Sequence, residues 1–284
     1  PAYVCILGDT STDLAAAVPA RHYRKKDQSG VKVFHMEAGN RSFDPRVPEE
    51  TNRKVVDHIS TLNMSYTRSA KEHLVDEGLR NVFVVGNPML EVINYHTEKI
   101  DASKIMEEIN VTSGEYILVT LHRSENVDCV DSLREVVEAL EEMSVKYGIP
   151  VIFSTHPRAK DKISKYDIKV TDERADVRFV SPFGFLDFMK LMKNARLVAS
   201  DSGTVPEECA ILGVPNLILR ESTERTELLD HGCSILVGAS SKERILKGAE
   251  ITMNRATDWS IPEEYAIVDV SERVISLMLS QMKQ

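Results

Sequence analysis

Apolar residues in this chain gather in short runs that end in glycine, proline or an acidic residue, and longer amphipathic stretches separate them. Ala2–Leu7 (AYVCIL) predicts a strand stopping at Gly8-Asp9-Thr10, and Asp13–Pro19 a short helix. Val31–His35 predicts a second strand, broken by Glu37-Ala38-Gly39, after a solvated loop at Arg24–Gly30. Glu49–Ser60 reads as a helix with Pro48 set before it. Met64–Thr67 is a third strand, Ala70–Glu77 a helix stopped by Gly78, and Val82–Val85 a fourth strand ending at Gly86-Asn87-Pro88.

A charged helical segment follows from about Met89 to Ile109, and then a second series begins. Its expected strands are Tyr116–Thr120, Pro150–Ser154, Val177–Val180, Leu197–Ser200, Asn216–Leu219 and Ser234–Leu236. Its expected helices are Val130–Tyr147, Phe185–Asn194, Val205–Leu212, Ser241–Met253 and a closing Val270–Lys283, with a polar stretch after Ser154. Strands apolar on both faces that alternate with helices call for parallel sheets covered by helices. The fold class is therefore α/β, with two doubly wound Rossmann-like domains and a boundary near residue 95. Residues 1–95 form the first domain, which is expected to be incomplete because it shows only four strands and opens on a buried-looking one. Residues 96–284, including the closing helix, form the second.

Composition narrows the partners more than the fold. The chain has 284 residues, 42% of them hydrophobic, enough for two ordinary cores. A formal charge of −9 argues against a nucleic-acid footprint, but not against a small phosphorylated ligand held by a few arginines and helix N-termini. No apolar run of about 20 residues predicts a membrane span, and no basic segment precedes an apolar one as in a signal peptide. Cys5, Cys129, Cys209 and Cys233 lack metal-ligand spacing, as expected for reduced thiols of a cytoplasmic protein.

In doubly wound folds ligands sit beyond the carboxyl ends of the strands, so polar residues there need explaining. Asp9, Glu37, His122, His156, Asp201 and Arg220 all follow predicted strands. Asp201-Ser202-Gly203-Thr204 leads into helix Val205–Leu212, which suits a diphosphate at a helix N-terminus or, more plainly, a Ser/Asp N-cap. Glu207 and Glu208 sit in its first turn, where a carboxylate also suits a ribose diol. Arg220, Glu221, Glu224 and Arg225 make a charged loop, either a solvated surface segment or a phosphate fork. His122 is either structural or a phosphate ligand or acid. Asp9, Glu37 and Glu49/Glu50 bring carboxylates from three loops, an arrangement able to divide acid and base roles if they converge.

These segments, taken in order, resemble a known family. Gly8-Asp9-Thr10, His35-Met36-Glu37-Ala38-Gly39, Pro48-Glu49-Glu50-Thr51-Asn52-Arg53, Val85-Gly86-Asn87-Pro88, His122-Arg123-Ser124-Glu125-Asn126, Asp201-Ser202-Gly203, Glu207-Glu208 and Thr223-Glu224-Arg225 are similar in order and spacing to the non-hydrolysing UDP-N-acetylglucosamine 2-epimerases, over essentially the whole chain. The resemblance implies two domains of glycosyltransferase-B type and a UDP-N-acetylhexosamine substrate bound in the cleft. It implies elimination of UDP across C1–C2 to a 2-acetamidoglucal, then re-addition with C2 inverted, with no metal or redox cofactor. It makes Asp9, Glu37 and Glu49 the acid/base carboxylates and His122 the active-site histidine. Ser202 and Gly203 fall to the phosphates, Glu208 to the ribose, Arg225 to the UDP set and Arg53 to the substrate cleft. A homodimer follows by analogy.

Two departures stand out. The family's opening Gly-Thr-Arg-Pro-Glu loop has no counterpart, so about three βα units are expected to be absent. Asn40 before Arg41, and Thr204-Val205-Pro206 after Gly203, look more like the branch acting on UDP-2-acetamido-2,6-dideoxyhexoses of capsule and O-antigen pathways. Three other readings are a UDP-sugar glycosyltransferase of the same fold, a hydrolysing epimerase and a non-catalytic UDP-binding remnant. The three loop carboxylates favour an isomerase over transfer.

Overall fold

The computed structural model describes residues 3–23, 30–254 and 259–282, so most of the loop expected at 24–30 lies outside the described residues. The chain divides into two compact units, residues 1–92 with 262–284, and residues 93–261.

In the first unit β1 (Tyr3–Leu7), β2 (Lys32–Met36), β3 (Leu62–Ser65) and β4 (Val82–Val84) form a parallel sheet in sequence order. Helix α1 (Ser11–His22) starts at a reciprocal cap: Asp13 N–H donates to Thr10 Oγ1, and the Asp13 carboxylate accepts from the Thr10 N–H. Ala17 of α1 and Val56 of α2 (Pro48–Ile59) cover one face of the sheet with Ile6 and Val33. Leu74 of α3 (Arg68–Asp76) packs with Ala38 and Val82.

Along the second unit run α4 (Met89–Ala102, begun in the first), α5 (Ile105–Glu108), β5 (Ile117–Leu121), α6 (Ser124–Val127) and α7 (Val130–Tyr147). They are followed by β6 (Val151–Thr155), α8 (Pro157–Lys165), β7 (Val177–Val180), α9 (Phe185–Asn194) and β8 (Leu197–Ser200). Next come α10 (Val205–Leu212), β9 (Asn216–Ile218), α11 (Thr226–Asp230), β10 (Ser234–Leu236) and α12 (Lys242–Asn254). The strands are parallel in the order β10-β9-β8-β5-β6-β7. Ile117, Val119 and Leu121 pack on α7 and α12, while the alternate residues Leu118, Ile152, Val198 and Ile218 are also fully buried. A sheet covered on both faces is what continuous apolar strands require. From β5 the chain first runs to one side and later returns to build the other, so strand order reverses between β5 and β8. Crevices at such reversals are where ligands bind in this architecture.

Besides the short helices α6 and α11, which it did not name, the sequence reading differs from this in three places. The segment from Met89 to Ile109 is not one helix, because α4 ends at Ala102 and α5 starts afresh at Ile105. The polar stretch after Ser154 contains α8, whose charge pattern hides a single fully buried residue, Ala159. The closing helix α13 (Val270–Met282) belongs with the first unit and not the second. Val270 and Val274 join Phe34, Leu62, Met64, Tyr66 and Val85, burying the sheet face that α1 and α2 leave bare.

Candidate functional site

At the carboxyl ends of β1 and β2 the first unit gathers acidic residues from three segments. Gly8 closes β1 with φ +88°, and a Cβ there would lie 3.6 Å from Glu37 Oε2. The Glu37 carboxylate thus rests against the residue preceding Asp9. Glu37 holds φ +66°, a left-handed conformation that a side chain with a Cβ rarely adopts, and Asn40 donates to its Oε1 at 3.3 Å. From α2, Asn52 donates to the Asp9 carbonyl at 3.0 Å, and Arg53 donates to Asp9 Oδ2 through Nε at 3.0 Å and Nη2 at 2.5 Å. Arg53 is almost fully buried and also donates to Glu50 Oε2 at 2.8 Å.

The two adjacent glutamates of α2 have different environments. Glu50 is buried and accepts from the Ser42 N–H and hydroxyl, both at 2.9 Å. Burial pushes its carboxyl up, but Ser42, Arg53 and Lys54 outweigh this and hold it below its ordinary value. Glu49 is half-buried in the first turn and has no hydrogen bond or ion pair among the described residues. Beneath them lies a polar chain absent from the sequence reading. His35 contacts Gly8 O through Nε2 and Asp57 Oδ1 through Nδ1, each at 2.8 Å. Arg41 donates to Asp57 Oδ2 and to the Glu77 carboxylate. His35, Arg41 and Asp57 are all 0% exposed, so this chain acts as an internal brace for the Gly8-Asp9 loop.

In the second unit the tips of β5 and β8 meet through one carboxylate. Asp201, fully buried, accepts from the backbone N–H of His122 and Arg123, from Asn126 Nδ2 at 3.0 Å, and lies 3.0 Å from His122 Nδ1. Burial pushes Asp201 up, but His122, the Arg123 amide and Asn126 more than offset it and hold the carboxyl below its ordinary value. With Asp201 engaged on the β5 side, the N-terminus of α10 has no side-chain cap. The Ser202 amide donates to Ser200 Oγ at 3.0 Å, and a Cβ on Gly203 would sit 3.1 Å from Glu224 Oε1. An uncapped helix start beside a glycine, where a side chain would crowd Glu224, is open to an anion.

The loop after β9 is not solvated. Arg220, Thr223, Glu224 and Arg225 are buried, whereas Glu221 is exposed. Arg220 pairs with Glu224 at 2.8 Å, while Arg225 pairs with Glu207 and approaches Glu224 Oε1 at 3.5 Å. Enclosure by its own acids hides this arginine pair from any charge-run reading. Beside it Glu208 is buried without such a partner charge; burial, and then the neighbouring Glu207, push its carboxyl up to about 7. His156 caps α8, accepting from the Arg158 N–H. Cys5 and Cys129 are exposed free thiols, and Cys209 and Cys233 are buried free thiols.

Comparison with known proteins places this geometry. The UDP-N-acetylglucosamine 2-epimerase family model matches residues 1–279. The chain belongs to this family. A UDP-N-acetylglucosamine 2-epimerase of Methanocaldococcus jannaschii is 38% identical over 269 residues, which are 92% of this chain and 71% of that protein. A UDP-2,3-diacetamido-2,3-dideoxy-D-glucuronate 2-epimerase of Pseudomonas aeruginosa is 33% identical over 90% of this chain and 68% of that protein. The crystal structure of the Methanocaldococcus jannaschii UDP-GlcNAc 2-epimerase with UDP-GlcNAc and UDP matches with a TM-score of 0.86 at 36% identity. That match covers 99% of this chain and 76% of the other. The epimerase family and its glycosyltransferase-B-like pair of Rossmann-like sheets, expected from the motifs, therefore hold for this chain.

Sequence reasoning left Asp57 and Asn52 in the first unit and Asn126 in the second without a role; it read Asp201 as part of the α10 cap and Glu207 as a ribose carboxylate, whereas Asp201 accepts from the β5 tip and Glu207 pairs with Arg225. Asp201 stood in a quoted motif, yet nothing in the sequence shows which loop its carboxylate serves. No helix among the described residues is long and apolar enough to cross a membrane.

Proposed function

We propose that this epimerase acts on a UDP-N-acetylhexosamine, breaking the C2–H and C1–O bonds to give UDP and a 2-acetamidoglucal, then adding UDP back with the C2 proton on the opposite face. Asp9, Glu37 and Glu49 divide the base and acid roles. The observation that supports this reading is their shared setting: Glu37 rests on Gly8, α2 holds Asp9, and Glu49 lies in the first turn of that same helix. A C2 proton beside an acetamido group is not acidic, so its removal needs a fixed base and a stabilised leaving group. Arg53 holds one Asp9 oxygen with two nitrogens, which fixes the carboxylate in place as a base requires. Glu49, whose carboxylate has no hydrogen bond or ion pair among the described residues, is suited to proton exchange.

The second unit supplies the groups for UDP. The α10 start with Ser202 and Gly203 takes the diphosphate, and His122 serves beside it as an acid/base that takes up a proton and returns it. Glu208 accepts from the ribose diol. Arg225 keeps Glu207 neutralised and reaches phosphate by exchanging that partner. Relatives differ in the sugar named for them, UDP-N-acetylglucosamine or a diacetamido glucuronate, so the common chemistry is at C2 and the C6 group is a matter of side-chain fit. A cytoplasmic homodimer that makes surface-polysaccharide precursors is the reading the family likeness supports; sedimentation velocity tests the dimer.

Incubation with UDP-GlcNAc in deuterated water tests the chemistry. The expected result is deuterium at C2 of both epimers, and its absence while UDP still binds would overturn the assignment. Repeating it with a 6-deoxy analogue ranks the two sugar classes by kcat/KM.

A further inference from the structure

His122 is tied twice to one carboxylate. Its backbone N–H donates to Asp201 Oδ1 at 3.1 Å, and its ring Nδ1 stands 3.0 Å from the same oxygen. The remaining contacts on Asp201, from the Arg123 N–H and the Asn126 amide, are donors as well. We infer that Asp201 is a positioning residue that fixes His122 with its proton on Nδ1, so that Nε2 is the atom the ring presents to a ligand.

The argument is one of donor and acceptor counting. A carboxylate that receives several N–H groups is stabilised in its charged form, and a charged carboxylate can only accept. Nδ1 must then carry the hydrogen. Asp201 is 0% exposed whereas the His122 side chain is 46% exposed, so one end of the ring is anchored inside and the other meets solvent. Nε2 has no hydrogen-bond partner among the described residues. Asn126 also donates to Leu219 O at 2.8 Å, which ties the β9 end to the same node and limits its drift. The carboxylate thus sets two things, the ring's tautomer and its direction at the strand reversal. This rests on the proposed role of His122 at the diphosphate.

The substitution that isolates the effect is Asp201→Asn. The amide oxygen still accepts the backbone N–H groups, but its NH2 turned to His122 offers a donor to Nδ1 and drives the proton to Nε2. Nitrogen-15 NMR of histidine-labelled chain, at a pH where the ring is neutral and with His122→Gln to assign the signal, reads the tautomer directly. The expected wild-type result is protonated Nδ1, and protonated Nε2 would overturn the inference. In Asp201→Asn the expected outcome is the reversed tautomer with kcat for C2 exchange lowered on the order of 10²–10⁴-fold and KM little changed. A folded Asp201→Asn that keeps more than half of the wild-type kcat also overturns it. Should that variant not fold, the wild-type spectrum decides alone. Protonated Nδ1 in a chain without C2 exchange refutes the epimerase assignment and leaves this one standing.

Discussion

Arg53 holds one oxygen of Asp9 with two nitrogens, at 3.0 and 2.5 Å, across forty-four residues of sequence. The same guanidinium holds Glu50, so a single buried cation positions the β1 loop and anchors the start of α2.

Replacing Arg53 by Met therefore leaves two acids without their cation. Urea unfolding is expected to show a loss of about 3 kcal/mol, the low end for breaking a buried pair because Asp9 is partly wet. Asp9→Asn keeps a polar contact to Arg53 and is expected to lose only about 1 kcal/mol, with C2 exchange slowed on the order of 10³-fold. Equal stability losses in the two variants would contradict this.

Glu37 bears its carboxylate on a backbone with φ +66°. Glu37→Ala and Glu37→Gly should both abolish C2 exchange, yet the glycine variant should be more stable by about 1 kcal/mol because it adopts that conformation without steric penalty. Thermal melts of the pair read the difference.

Glu49 and Glu50 separate activity from stability. Glu49→Gln is expected to leave the melting temperature unchanged and to lower kcat on the order of 10²–10⁴-fold. Glu50→Gln is expected to lower stability by about 1–3 kcal/mol at pH 7. Because the folded Glu50 carboxyl lies below its ordinary value, its stabilising effect is present above the usual glutamate range and is lost as pH falls through the folded value. Stability of Glu50→Gln should accordingly vary less than wild type between about pH 5 and pH 3.

Glu208 has the opposite sign. Its carboxyl rises from 4.5 to about 7 in the fold, so its favourable effect is complete below the unfolded value and lost as pH rises through about 7. Glu208→Gln should be more stable than wild type at pH 8, by up to about 3 kcal/mol, and no more stable at pH 4. A ribose diol that donates through both hydroxyls favours the ionised form, in which both carboxylate oxygens accept, so uridine binding should release a proton near pH 6.5, measured by calorimetry in buffers of different ionisation enthalpy. Glu208→Gln should abolish that release.

Strands β5, β6 and β8 were legible in the sequence because strands buried on both faces are mostly apolar, whereas β1 looked buried although its Tyr3 and Leu7 are exposed. Helix α8 was not legible, since only Ala159 of its nine residues is fully buried and the rest reads as a polar loop. Asp9, Glu37 and Glu49 could be named from motif and strand-end position. What stayed hidden was pairing: Arg53 with Asp9, Asp57 with His35, and Asp201 with His122 lie 44, 22 and 79 residues apart. Long-range partners leave no periodic signal. The charged loop at Arg220–Arg225 misleads for the related reason that charges neutralising one another can be buried.

The position of α13 has a consequence for biosynthesis. Val270 and Val274 cover Phe34 and Met64, so the first sheet lacks one wall until α13 has left the ribosome. Residues 93–261 can close their own core earlier, although they are translated later than most of the first unit. At ordinary elongation rates that sheet waits on the order of ten seconds with an apolar face open to chaperones.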